Sequence, residues 1–174
     1  MVDAVPFGGG AYVTFLVLML FCRAMDFLST WVATPNLVLE ANPIARKLGW
    51  RWGIPVNLAL CLAFACWPLP AVIISTTSVL VAARNFQSAW LMRAIGEDTY
   101  RVWISERLEQ TPIGLFLFCL FGQTSLVAAV GGVLIWFGEL RLVPLGIGLG
   151  LVAYAAAVVL YTLISLWRSR RRAR

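Results

Sequence analysis

The chain has 174 residues, 61% of them hydrophobic, and a mean hydropathy of +0.85. An apolar share this high, collected in long stretches, excludes an ordinary soluble domain and is typical of a membrane protein. The formal charge of +6 does not call for nucleic acid, because five of the fourteen basic residues lie in the tail 168–174, the expected cytoplasmic flank of a last span. Histidine is absent, so neither imidazole-ligated haem nor a serine–histidine mechanism is expected.

The first apolar run, 11–34, contains the charged residues Arg23 and Asp26. A charge at the centre of a spanning helix costs roughly 2.5–3.5 kcal/mol, so such residues usually face a partner or a cavity. Their three-residue spacing puts both on one helix face, and Thr30 continues that face. Two interpretations stay open: a pair that fixes helix packing, or a site for a ligand, an ion or a proton.

The loop that follows contains Glu40, Asn42 and Pro43. Asn is a preferred N-cap and Pro suits the first helical position, so a helix is predicted to begin here, with Gly49 able to close a short first segment. Glu40 has no such local explanation. It could be solvated or paired with the basic residues of the loop, or it could belong to a site.

The number of spans depends on the segment 54–83, which contains Pro68 and Pro70. As one kinked helix it would be about 45 Å long, against a membrane core of about 30 Å. Two alternating prolines favour a division into two spans, 50–67 and 69–89. Five spans then place the first loop, the segment after Arg84 and the basic tail on one side. The positive-inside rule therefore favours five spans over four, with the C-terminus cytoplasmic.

The segment 90–111 is too charged to span a membrane. Its pattern predicts an interfacial amphipathic helix near 98–109, with Tyr100 and Trp103 as aromatic anchors. A docking surface for a partner protein is the alternative. Two further spans are predicted, at 112–137 and 142–167, which completes an all-α integral membrane helix bundle forming one domain.

Small residues in the last span recur at helical spacing, beginning with Gly146 and Gly150. Such a face lets another backbone approach closely, so it predicts tight packing within the bundle or between protomers. Gly131 and Gly132 in the preceding span are candidate partners for this face.

In the five-span topology, polar residues from three segments converge on one cytoplasm-facing pocket. The candidate ligand-binding residues are Asp26, Thr30, Glu40, Asn42, Arg84 and Asn85, with Arg23 beside them. The carboxylates of Asp26 and Glu40, together with the amides, suit a hard divalent cation. The arginines could instead receive a phosphate or a carboxylate.

The pattern Asp26-x-x-Ser29-Thr30, then Glu40-x-Asn42-Pro43, then a helix hairpin ending near Asn85, resembles a family of small bacterial multi-pass membrane proteins of unknown function. The resemblance covers about 11–90 and carries a D-x-x-[ST]-T…E-x-N-P signature. It implies three helices in that region and groups the polar residues of the pattern together. It implies no substrate.

Three functions remain open. The sequence favours a non-enzymatic protein of the inner (plasma) membrane that binds a small ion or a lipid headgroup in the polar pocket. The alternatives are a small ion or metabolite carrier or channel, and a metal-dependent enzyme acting on a lipid phosphate. The enzyme ranks last, because the chain has no paired D-x-x-D motif and no nucleophile with a base. The expected partners are the lipid bilayer and a second copy or another membrane protein.

Overall fold

The structure, a computed structural model, describes residues 4–172, with side chains as far as Trp167. Throughout this part of the chain the regular structure is α-helical, as expected for a helix bundle. The helices are α1 (Gly10–Ala33), α2 (Pro43–Phe64), α3 (Pro68–Ile95), α4 (Glu97–Gln110), α5 (Ile113–Phe137) and α6 (Leu142–Arg172). The last two residues of the basic tail 168–174 lie outside the described residues.

Four helices are long and apolar enough to cross a membrane: α1, α3, α5 and the part of α6 from Leu142 to Trp167. The chain is therefore a multi-pass membrane protein. The helix α2, which contains most of the predicted span 50–67, falls short of the same apolarity. Three basic side chains, Arg46, Lys47 and Arg51, lie in its first half.

The chain divides at the prolines, so the single kinked span over 54–83 is wrong. The helix α2 ends at Phe64, Trp67 is extended with φ −117° and ψ 102°, and Pro68 begins α3. The helix α3 also runs past the expected end at residue 89. Residues 90–95, predicted as part of the segment after the span, are thus a continuation of α3.

The helices α1 and α3 pack side by side and run parallel. Arg23 of α1 contacts Ser78 of α3, and Thr30, two turns further along α1, contacts Asn85. Both contact positions therefore advance in the same direction along the chain.

The helix α6 packs on the other side of α3, parallel to it, and α5 packs antiparallel on α6. A Cβ atom added at Gly146 or Gly150 would meet Val72 or Thr76 of α3 at under 3 Å. The small-residue face of α6 thus packs within the bundle. Gly131 of α5 approaches a different residue of α6, Gly148, while Gly132 has open space around it.

The helix α2 returns along α1 in the opposite direction. The Tyr12 hydroxyl, near the start of α1, donates to the carbonyl of Leu62 across 3.1 Å. At the other end of α1, Trp50 Nε1 donates to the carbonyl of Pro35 across 2.8 Å. The helix α2 therefore extends along most of the length of α1.

The helix α4 confirms the prediction of a helix near 98–109, but its amphipathic character is weak. Tyr100, Ile104 and Leu108 lie on its half-buried side. Val102, on the opposite side, is 56% exposed, and Trp103 is exposed as well. Apolar residues thus lie on both sides of α4.

Candidate functional site

Arg23 and Asp26 form the ion pair that their spacing predicts. Arg23 Nη1 lies 3.0 Å from Asp26 Oδ2, and the same nitrogen donates to Ser78 Oγ on α3 across 3.3 Å. The two side chains are 29% and 20% exposed, so the pair lies at the edge of the α1–α3 interface rather than in a dry core. The pair therefore neutralises charge within α1 and also binds α1 to α3.

One turn further along α1, Asn85 of α3 joins two hydroxyl groups of α1. Its Nδ2 atom donates to Ser29 Oγ across 3.3 Å and to Thr30 Oγ1 across 3.1 Å. Ser29 is fully buried, and its hydroxyl donates to the Asp26 carbonyl across 2.8 Å. We call Arg23, Asp26, Ser29, Thr30, Ser78 and Asn85 the α1–α3 polar cluster.

Glu40 lies in the loop after α1, between the end of α1 at Ala33 and the start of α2 at Pro43, and it is half-buried. Its Oε1 atom accepts a hydrogen bond from the backbone N–H of Asn42 across 2.8 Å. Burial raises the pKa of Glu40, and the Asn42 hydrogen bond and the positive charge of Arg46 only partly oppose that rise. Glu40 is thus half-buried beside the start of α2, and its hydrogen-bond partner is Asn42 rather than a residue of the α1–α3 polar cluster.

Asn42 is occupied in starting α2, as the sequence predicts. Its Oδ1 atom accepts from the backbone N–H groups of Ile44 and Ala45 at 2.9 and 3.4 Å, and Pro43 is the first helical residue. Gly49 has φ 61°, a conformation that favours glycine, and it separates this first turn from the rest of α2. The side chain of Asn42 therefore holds the loop that carries Glu40.

Arg84 does not join the cluster. It is exposed and makes no hydrogen bond or ion pair with any described residue. Successive helical residues are about 100° apart, so Arg84 turns away from α1 when Asn85 faces it. Because Arg84 and Asn85 are adjacent in α3, only one of them can lie at the α1–α3 interface, and the prediction that both do is not met.

Sequence reasoning placed Ser29 in the pattern Asp26-x-x-Ser29-Thr30 but not among the candidate ligand-binding residues, and it missed Ser78. The signal for Ser29 was its position three residues after Asp26, on the same helix face. Ser78 had no local signal, because it lies in another helix 55 residues from Arg23 along the chain.

The cluster can offer oxygen atoms to a cation. The second carboxylate oxygens of Asp26 and Glu40 and the amide oxygen of Asn85 accept no hydrogen bond within the described residues. Such oxygens are the ligands that hard cations prefer. No group of three or more His, Cys, Asp or Glu side chains that could hold a metal occurs in the described part of the chain.

Comparison with protein-family models, curated proteins and solved structures gave no match to this chain. The fold and the site define a multi-pass membrane helix bundle with a polar cluster between two parallel helices.

Proposed function

We propose that this chain is a non-enzymatic protein of the inner membrane whose α1–α3 polar cluster, together with Glu40, binds a small cation. The observation that carries this proposal is a pair of half-buried carboxylates, Asp26 and Glu40, each with one oxygen that accepts no hydrogen bond within the described residues. Arg23 offsets the charge of Asp26, whereas Glu40 forms no ion pair within the described residues. A cation bound between the two carboxylates would be attracted to both.

The direction of the helices supports a cytoplasmic opening for this site. Since α1 and α3 run parallel, α2 has to return the chain, and we propose that it supplies a fifth crossing. The loop at 34–42, α4 and the end of α6 then share one side of the membrane. Among the basic residues up to Arg172, this arrangement puts only Arg141 on the other side and Arg23 within the bundle. By the positive-inside rule the shared side, including the C-terminus, is cytoplasmic.

The resemblance of residues 11–90 to a bacterial membrane family remains part of the proposal. Its signature joins Asp26 and Thr30 with Glu40 and Asn42. In the structure, Asp26 and Thr30 belong to the α1–α3 polar cluster, and Glu40 accepts a hydrogen bond from Asn42 in the following loop, which supports treating each pair as one unit.

The test is cation-dependent thermal stability of the purified protein in detergent. Chlorides of Na⁺, K⁺, Mg²⁺, Ca²⁺ and Mn²⁺ are compared with choline chloride at equal ionic strength. We expect one of these cations to raise the melting temperature, and Asp26→Asn and Glu40→Gln each to remove that rise. Glu139→Gln is the matched control, because Glu139 is an exposed carboxylate in the α5–α6 loop, paired only with Arg141. Equal melting temperatures in every salt would contradict the proposal.

An ion carrier is the second candidate, and one observation favours it. Polar contacts between α1 and α3 lie at successive levels, from Arg23–Ser78 to Thr30–Asn85, and lead toward Glu40. Proteoliposomes loaded with the stabilising cation test this candidate. Flux that Asp26→Asn abolishes would support a carrier, and cation binding without flux would support the non-transporting protein.

A further inference from the structure

Two adjoining grooves lie around the end of α1. The first, of about 330 Å³, lies between the loop after α1 and the α3–α4 junction, and its lining includes Asn36, Arg93 and Glu97. The second, of about 450 Å³, lies between α1 and α2 and is lined by Phe27, Leu28, Trp31, Pro35, Trp50 and Ile54. Pro35 lines both grooves. We call the first the polar groove and the second the apolar groove.

The polar groove contains opposite charges that do not neutralise each other. Glu97 Oε1 accepts from the backbone N–H of Asn36 across 2.9 Å, while Glu97 Oε2 is buried without a hydrogen-bond partner. Arg93 lies four residues earlier but forms no ion pair with any described carboxylate. Gly96, with φ 88°, interrupts the helix between them, so the usual contact of helical residues four apart is lost.

Arg93 connects the two grooves. Its guanidinium carbon lies 5.8 Å from the ring centroid of Trp31, which lines the apolar groove. A guanidinium that lies over an aromatic face is attracted to the ring without using its N–H groups as hydrogen-bond donors. Those N–H groups can therefore still donate to a further acceptor. The phosphate of a phospholipid is the acceptor that a guanidinium matches best, because it can accept two parallel hydrogen bonds.

The two grooves follow each other in the same order as the headgroup and the acyl chains of a membrane lipid. The polar groove lies just beyond Ala33, where α1 ends, and the apolar groove follows the last two turns of α1 back toward the bilayer centre. Phe27 lies eight residues before Pro35, about 12 Å deeper along a helix. A headgroup in the polar groove would therefore place an acyl chain in the apolar groove.

We propose that the two grooves together bind one phospholipid whose zwitterionic headgroup carries a primary amine. Its phosphate contacts Arg93, its ammonium donates to Glu97 Oε2, and an acyl chain lies along Trp31 and Ile54. A primary ammonium satisfies the unpartnered oxygen because it has N–H donors, which a quaternary ammonium lacks. A headgroup with a net negative charge would meet two carboxylates, Glu97 and Asp98, in the same groove.

The test is lipid binding by native mass spectrometry of the full chain in a neutral detergent. Phosphatidylethanolamine, phosphatidylcholine and phosphatidylglycerol with identical acyl chains are added in competition. We expect phosphatidylethanolamine to bind about tenfold more tightly than phosphatidylcholine, the effect of one hydrogen bond to a charged group. Glu97→Gln should bring the two affinities close together, and Arg93→Gln should weaken both.

Arg101→Gln and Glu106→Gln are the matched controls, since both residues are exposed on α4 and line neither groove. Ile54→Trp tests the apolar groove separately, because it changes no charged residue. Ile54 is 55% exposed, so a larger side chain fills the apolar groove without entering the core, and it should weaken every phospholipid.

Equal binding of phosphatidylethanolamine and phosphatidylcholine by the unaltered chain would overturn the proposal, as would a preference for phosphatidylglycerol. A preference that persists in Glu97→Gln would also overturn it. The outcome is separable from that of the cation site, because Glu97→Gln should leave cation-dependent stabilisation unchanged.

Discussion

Asn85 of α3 donates a hydrogen bond across 3.1 Å to the hydroxyl of Thr30 on α1, and this contact fixes the register of two parallel helices. Its amide nitrogen also reaches Ser29, so one side chain holds two consecutive hydroxyl groups. The same register sets Arg23 against Ser78, one to two turns earlier along α1.

We expect Asn85→Ala to lower the free energy of unfolding by about 0.5–2 kcal/mol, the range of interhelical hydrogen bonds in membrane proteins. Thr30→Val should cost less, and the double variant should cost less than the sum, because both changes remove the same contact. Denaturant titration in mixed micelles measures these differences. Gln87→Ala is the control, since Gln87 is exposed on α3. If the effects of Asn85→Ala and Thr30→Val simply add in the double variant, the two residues are not coupled.

Gly131→Ala should destabilise the α5–α6 contact by about 1–3 kcal/mol, the usual cost of overpacking. A Cβ atom at this position would lie 2.7 Å from the carbonyl oxygen of Gly148. The neighbouring change Gly132→Ala is the matched control, because open space surrounds Gly132 and alanine favours a helix. Thermal unfolding of both variants decides the question: equal melting temperatures would mean that α5 and α6 do not approach closely here.

Glu40→Gln should raise the melting temperature at neutral pH in a buffer free of the stabilising cation. Burial raises the pKa of Glu40 in the folded protein above its ordinary value of 4.5. The unfolded chain therefore loses this proton first as pH rises, so the contribution of Glu40 to stability is fully present below pH 4.5 and is lost as pH rises through the folded pKa. When melting temperatures are measured from pH 4 upward, the melting temperature should fall less steeply with pH for Glu40→Gln than for the unaltered chain. If the melting temperatures of the two proteins change in parallel with pH, Glu40 does not destabilise the folded chain at neutral pH and the prediction is wrong.

Single cysteines at exposed positions should report which end of the bundle lies outside the cell. Phe7, at the start of α1, is 76% exposed, and Arg141 is exposed in the α5–α6 loop. In a background with Cys22, Cys61, Cys66 and Cys119 replaced by alanine, an impermeant maleimide should label Phe7→Cys and Arg141→Cys in intact cells. Glu106→Cys on α4 should react only after permeabilisation, and the reverse pattern would invert the proposed orientation.

The sequence predicted well those features that depend on residues close together in the chain. The ion pair between Arg23 and Asp26 follows from their spacing on one helix, and the Asn42 cap and the break at Pro68 follow from local backbone chemistry. The division of the chain into helices was therefore largely accessible from sequence, with errors at the ends of α2 and α3.

Features that depend on how the helices pack were not accessible in the same way. The partner of Arg23 on α3, the exposure of Arg84 and the approach of Gly131 to Gly148 rather than Gly146 all depend on helix rotation. The grooves around Arg93 and Glu97 depend further on the turn at Gly96 and on the path of the loop after α1. Hydropathy and spacing contain no information on these rotations, because a spanning helix is apolar on several faces.

The pairing of Arg23 with Asp26 also bears on how the protein is made. Both residues belong to α1, whereas Ser78 and Asn85, the groups on α3 that complete the cluster, are synthesised some 55 residues later. Because the ion pair needs no residue outside α1, this helix can enter the bilayer with its two charges already neutralised. The short-range contact is therefore available to α1 before the long-range contacts with α3 can form.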